Sequence, residues 1–230
     1  VLATFAAQLA LPTGRMGQVV GRVLNRANGP LVAATVDAVA AEEGHICADI
    51  GFGGGVGLDL LLRRVGASGR VHGIEIAPTM LADARRRFAK DLDLGRLVLH
   101  DAAMDQLPLA DGSLDRLITT NTVYFIEDLA PAFAELARVL RPSGRAAIGL
   151  GDPSAMGKMP FTKHGFRLRS VAEVTAQLES AGLHVTEDRR VGNSINAFHI
   201  LVCQRSDTSS ASRATDSAIQ TAPSDSPAKP

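Results

Sequence analysis

The stretch Ala48-Asp49-Ile50-Gly51-Phe52-Gly53-Gly54-Gly55-Val56-Gly57 decides how this chain is read. It closes an apolar run, residues 46–50, that reads as a buried strand, and it leads straight into a helical pattern over residues 56–65. Glycines between strand and helix let the backbone turn sharply and let a ligand lie against it with no Cβ in the way. In a doubly wound sheet such a turn falls at the carboxyl edge of the strands, where these folds bind their ligands. Spacing narrows the ligand. A dinucleotide fingerprint counted from Gly51 needs glycine at positions 51, 53 and 56, and position 56 is Val. The pattern present is G-x-G-x-G, with Asp49 two residues ahead of it.

Two further acids follow at the ends of the next two strand signals. The run Arg70–Glu75 ends in Glu75, about where a ribose would lie, and a carboxylate accepts hydrogen bonds from both vicinal hydroxyls. The third run ends in His100-Asp101, and Asp101 can accept from an exocyclic amine such as that of adenine. Acids at successive strand ends, beside a glycine turn, describe an adenosine pocket.

Strand signals recur at Ile46–Ile50, Arg70–Glu75, Leu97–His100, Leu114–Thr120, Arg145–Leu150, His184–Asp188 and Ala197–Gln204. Helical patterns separate most of them, at Val56–Val65, Thr79–Leu92, Leu129–Leu140 and Val171–Ala181. Another helix opens at Asn28-Gly29-Pro30 and runs to about Glu43. This alternation predicts an α/β fold, a doubly wound, Rossmann-like seven-stranded sheet that is mostly parallel. The last two strands have only a short loop around Gly192-Asn193 between them, so they form an antiparallel hairpin.

Residues 30–205 make the domain. Residues 1–29 read as a helical extension, with Leu2, Phe5, Ala6 and Leu9 at helical spacing, a break at Pro12-Thr13-Gly14, and a second short helix after it. That second helix carries Val19, Val20, Val23, Leu24 and Ala27 on one face and Arg15, Gln18, Arg22 and Arg26 on the other. The extension reads as packed on the domain with a solvated basic face, and alternatively as a lid over the site or a homodimer contact. Residues 206–230 are rich in Ser, Thr, Ala and Pro and read as a disordered tail.

The 230 residues carry 24 Lys+Arg against 24 Asp+Glu, a balance that argues against a nucleic-acid partner bound through its phosphates. No apolar run reaches the roughly 18 residues of a membrane span. The opening residues lack a basic n-region and a clear cleavage site, and the expected compartment, read from two cysteines that suit buried free thiols, is the cytoplasm. Cys47 and Cys203 sit in separate apolar strands with no C-x-x-C neighbour, as buried thiols do. No cluster shows metal-ligand spacing.

Four segments in order give residues 46–150 a specific likeness. Asp49-Ile50-Gly51-Phe52-Gly53-Gly54-Gly55 is the first. Val71-His72-Gly73-Ile74-Glu75-Ile76-Ala77 with Met80-Leu81 is the second. Asp101-Ala102-Ala103-Met104-Asp105-Gln106-Leu107-Pro108-Leu109 with Asp111-Gly112-Ser113-Leu114-Asp115 is the third. Glu135-Leu136-Ala137-Arg138-Val139-Leu140-Arg141-Pro142-Ser143-Gly144 is the fourth, with Ser143 where glycine is common. Together they resemble the class I S-adenosylmethionine-dependent methyltransferases, most nearly the small type 11 branch. The resemblance implies S-adenosyl-L-methionine as cofactor and the strand order 3-2-1-4-5-7-6. It implies that Gly51 and Gly53, with Gly55 in the same loop, pass against the methionyl part, and that Asp49 orders that loop. Glu75 would hold the ribose, Ile76 would cover one adenine face, Asp101 and the Ala102 N–H would meet the adenine edge, and Asn121 would lie near the sulfonium.

The acceptor is less legible. Acceptor recognition is expected from the N-terminal extension and from residues 151–167, a loop mixing Met156, Met159, Phe161 and Phe166 with Lys158, Lys163, His164 and Arg167. His164 is the candidate general base and Tyr124, the chain's single tyrosine, a candidate pocket residue. No N-P-P-Y-type segment follows the fourth strand, which argues against amino-methylation of bases or amides. The expectation is transfer to a small-molecule or carbohydrate acceptor, with a hydroxyl preferred. C-methylation of a quinone-like lipid precursor and a non-catalytic cofactor binder are the alternatives, and a nicotinamide oxidoreductase is the rival outside the family.

Overall fold

The computed structural model describes residues 2–10, 28–192 and 197–206. Its centre is β1 (Ile46–Ile50), whose five residues are nearly all buried because the sheet is covered on both sides. Around it lie β2 (Arg70–Glu75), β3 (Leu97–Asp101), β4 (Leu114–Thr120), β5 (Leu140–Gly151), β6 (Leu183–Val191) and β7 (Phe198–Arg205). The seven strands form one sheet in the order β3-β2-β1-β4-β5-β7-β6. The pairs from β3 to β5 are parallel, while β7 runs antiparallel to both β5 and β6. The doubly wound architecture and its antiparallel hairpin are therefore as the sequence pattern indicates.

Side chains alternate between two cores, as a pleated sheet requires. Ala48, Leu117, Ile148 and Leu201 point to one, with Phe133 and Leu136 opposite them. Cys47, Ile118, Ala147 and Val202 point to the other, with Leu58, Leu61 and Leu81. The covering helices are α1 (Leu2–Ala10), α2 (residues 28–39), α3 (Val56–Val65), α4 (Pro78–Arg87), α5 (Ala89–Asp93), α6 (Leu129–Val139), α7 (Pro153–Met156) and α8 (Val171–Ser180). Several begin where the sequence supplies a cap. Asp128 accepts from the Ala130 N–H at 3.0 Å, and Ser170 and Glu173 form a reciprocal capping box at the start of α8.

Three boundaries differ from the sequence pattern. The helix expected over residues 79–92 is two, because Phe88 leaves helical geometry at φ −107°, ψ 25°, and its buried ring packs under the glycine turn. The helix expected to reach Glu43 ends at residue 39, where Ala40 takes a left-handed φ of 51°. β5 begins earlier than Arg145, with a register shift that absorbs Arg141 to Gly144. The short helix proposed around residues 19–27 lies outside the described residues, as do residues 193–196 of the last loop and the tail from residue 207. No helix among the described residues is long and apolar enough to cross a membrane.

Candidate functional site

β1, β2, β3 and β4 end along one edge of the sheet, and the last residues of β1, β2 and β4, with those that follow β3, surround a cavity of about 380 Å³. The glycine turn forms its floor. The Gly51 N–H donates to the Ile74 carbonyl at 2.8 Å, which ties the turn to β2. Gly51 has φ +71°, and a Cβ there would lie 2.6 Å from the Thr122 hydroxyl, so the close passage of two loops needs glycine at this point. Gly53 and Gly54 line the cavity. Gly55 does not: it caps α3 with φ 74° and faces the Phe88 ring, so its part is to aim the turn.

Glu75 is the most constrained side chain of the site. Its Oε1 accepts from the N–H groups of Ile76 (2.9 Å) and Ala77 (3.0 Å), and its Oε2 accepts from the Gly53 N–H at 2.9 Å. Three backbone donors hold the carboxylate in one orientation and leave a lone pair of Oε2 unused. Asp49 lies deeper, 2% exposed, with Oδ1 lacking any hydrogen-bond partner. Burial, and after it the nearby Glu75 charge, pushes its carboxyl up to about 8. A buried acid with an unused oxygen, lining a cavity, fits a cationic group of a ligand.

Ile76 stands half exposed over the cavity, and Ala102 to Asp105 form the wall after β3. Asp101 pairs in register with Glu75 but is exposed and lies outside the cavity lining; the wall expected from its carboxylate is built by the four residues that follow it. His100 is an inner support. Its Nε2 lies 3.0 Å from His72 Nδ1 with the rings stacked, and burial holds both imidazoles below their usual range. Arg87 is more than a solvated helix residue: it donates to the Gly54 carbonyl at 3.1 Å while its guanidinium lies 4.9 Å from the Phe88 ring centre.

Asn121, just past β4, lines this cavity and also a second one of about 260 Å³. It takes a left-handed φ of 56°, which asparagine tolerates, and its N–H donates to the Gly149 carbonyl. Leu9 of α1, Asn28 of α2 and Phe125 also border both cavities. The sequence carries no signal that singles out Asn28, since an Asn before Gly-Pro reads only as a helix start.

Tyr124 lines the second cavity, buried, and its hydroxyl accepts from the Gly151 N–H while lying 3.4 Å from both Asn121 Oδ1 and the Gly151 carbonyl. Burial pushes its phenol upward, so it acts as a strut between β4 and β5 and not as a base. His164 is exposed at the end of the 3-10 helix Pro160–Lys163 and lies outside both linings, as do Lys158, Lys163 and Arg167. The polar handles expected of this loop point to solvent, because its apolar residues turn inward and helical spacing sends the others out. Arg167 is paired instead with Glu127 at 2.8 Å. Asp152, at the start of the same loop, caps α7 through the Ser154 and Ala155 N–H groups and meets His199 Nε2 at 3.3 Å. Among the described residues no group of His, Cys, Asp and Glu is arranged to hold a metal ion.

Comparison with known proteins finds a family profile, curated relatives and solved structures like this chain. Residues 48–148 match the family profile described as "Methyltransferase domain". The chain is 40% identical over 117 residues to an uncharacterized 37.1 kDa protein in transposon TN4556 from Streptomyces fradiae, covering 51% of this chain and 33% of that protein. It is 29% identical over 155 residues to an arsenite methyltransferase of Halobacterium salinarum, covering 64% of this chain and 39% of that one. The chain thus spans about a third of the length of these curated relatives. Among solved structures, a SAM-dependent methyltransferase from Aquifex aeolicus shares the fold with a TM-score of 0.65 at 24% identity, over 76% of this chain and 89% of that one.

Proposed function

We propose that this chain, in keeping with the methyltransferase-domain match over residues 48–148, is a class I S-adenosylmethionine-dependent methyltransferase of the type 11 branch that binds S-adenosyl-L-methionine in the first cavity and methylates a small molecule held in the second. The observation that carries this reading is the carboxylate of Glu75, fixed by three backbone N–H groups at the rim of the glycine turn. Its free lone pair suits a ribose hydroxyl, and Ile76 beside it offers an apolar face for a base. The unpartnered Oδ1 of Asp49 suits the methionyl ammonium.

When bound, the cofactor supplies a methyl group on a sulfonium, whose carbon–sulfur bond pair stays on sulfur as an acceptor's electron pair takes the methyl. The protein's part is alignment, worth roughly 7–11 kcal/mol of barrier where two reactants are held in line. Asn121 and Asn28 stand where the cavities meet and present amides to the acceptor's reacting end. Leu9 borders both cavities and α1 packs on the 3-10 helix of the second, so α1 serves as a cover that keeps water from the junction.

The acceptor atom is a hydroxyl oxygen or an activated carbon. A thiol-dependent acceptor such as arsenite draws no support from this chain's described residues: Cys47 and Cys203 are buried in the cores, outside both cavities, with burial pushing each thiol up to about 12. The test is transfer of a labelled methyl group from S-adenosylmethionine to a panel of small acceptors. Label in an acceptor, with matching S-adenosylhomocysteine, supports the reading. Cofactor binding with no transfer to any acceptor would favour a non-catalytic binder.

A further inference from the structure

The second cavity holds an unusual share of the chain's aromatic residues. The sequence has eight Phe, one Tyr and no Trp, nine in all, and five of these line this one space: Tyr124, Phe125, Phe161, Phe166 and Phe198. Four of them cluster with Phe166 at the centre: its ring centre lies 4.8 Å from that of Phe125, 5.6 Å from Phe161 and 5.8 Å from Tyr124. The Phe125 and Phe161 rings meet Phe166 at 62° and 64°, edge to face. Apart from Tyr124 these rings are only partly buried, so the void between them leaves apolar surface wet that a ligand would cover. Met156 and Met159 complete the wall with side chains that adapt to a ring.

Polar groups occur at one end. Asn28 and Asn121 are shared with the first cavity, and no charged side chain is among the described residues of the lining. A sugar would bring a hydroxyl on nearly every carbon, and most would be buried here without a partner, each at a cost of about 1–3 kcal/mol. A flat ring system with one carbonyl or hydroxyl would leave no such debt.

We propose that the second cavity takes a neutral aromatic acceptor, its ring among Phe125, Phe161 and Phe166 and its single polar end on the Asn28 and Asn121 amides. This rests on the methyltransferase reading of the first cavity. It stands in place of the carbohydrate acceptor, for which the loop's outward-turned charged residues leave no polar handles in the lining. Two side chains then set the acceptor's size: Ala155 and Met159 line the second cavity and not the first.

The test is calorimetric titration of 1-naphthol and of methyl glucoside into the protein, alone and saturated with S-adenosylhomocysteine, for the wild type and for Met159→Trp and Ala155→Leu. Expected is binding of 1-naphthol with no heat from methyl glucoside. At least one cavity-filling variant should weaken 1-naphthol tenfold or more while binding S-adenosylhomocysteine as the wild type does, which shows it folded. Binding of methyl glucoside without 1-naphthol, or 1-naphthol affinity unchanged in both variants, would overturn the proposal. Failure of S-adenosylhomocysteine alone would instead remove the cofactor reading, and 1-naphthol titrated into the cofactor-free protein would still decide the cavity's ligand class.

Discussion

The Oε2 of Glu75 accepts the Gly53 N–H at 2.9 Å, so the acid ending β2 holds the glycine turn that follows β1. Two motifs 22 residues apart in sequence thereby become one surface. The turn is shaped by the same carboxylate that faces the ligand, and loss of either partner should be felt at both.

Replacing Glu75 with Ala removes the acceptor of three N–H groups and the proposed ribose contact. Hydrogen bonds to a charged group contribute about 1.5–3 kcal/mol, so S-adenosylhomocysteine should bind about 10- to 150-fold more weakly. Calorimetry of the variant checks this, and an unchanged affinity would remove Glu75 from the pocket.

Gly51→Ala and Gly53→Ala should separate strain from collision. Both glycines have positive φ, which costs a residue with a Cβ roughly 1–2 kcal/mol. A Cβ at position 53 meets nothing within 4 Å, whereas at position 51 it meets Thr122. The melting temperature should therefore fall further in Gly51→Ala, at about 2–4 °C per kcal/mol for a chain of this size. Equal losses would contradict the close passage of the two loops.

Asp49 predicts a pH dependence of stability. In the folded protein its carboxyl keeps the proton up to about pH 8, whereas in the unfolded chain it is lost near the ordinary value of 3.8. Between those values the folded state binds more protons, so this group's contribution to stability is lost as pH rises from about 4 towards 8. Asp49→Asn lacks the titration. Its melting temperature relative to the wild type should climb between pH 5 and pH 8, and scanning calorimetry across that range would show a flat difference if Asp49 were already ionised.

Tyr124 and His164, both candidates from sequence, should part company. Tyr124→Phe leaves the buried Gly151 N–H without its acceptor, a loss of about 1–3 kcal/mol in stability. His164→Ala changes an exposed residue outside both cavities, and both stability and turnover should stay within about 0.5 kcal/mol of the wild type. A large fall in turnover for His164→Ala would return it to the site.

The sheet and much of the first cavity's lining were legible because their signals are local. Strand periodicity placed all seven strands, and Asp49, Gly51, Gly53, Glu75 and Ile76, which line that cavity, fall in short runs at strand ends. The break at Phe88 was hidden, because nothing in a helical pattern shows that a ring will turn under a distant glycine. Asp101 was misplaced relative to its neighbours for a related reason: a strand-end acid can face the ligand or the solvent, and one residue of register decides which. The second cavity was the least legible part. Leu9, Asn28, Tyr124, Phe166 and Phe198 come from five separate segments, and the charged residues of the loop after β5 drew attention from the apolar ones that face inward.

The central claim is an adenosine-bearing cofactor in the first cavity, held through Glu75. Calorimetric titration of S-adenosylhomocysteine and of NADH into the wild type and Glu75→Ala tests it most directly. The account predicts micromolar binding of S-adenosylhomocysteine by the wild type, a loss of about tenfold or more in the variant, and no heat from NADH. Binding of NADH without S-adenosylhomocysteine would contradict it and give the glycine turn to a nicotinamide cofactor.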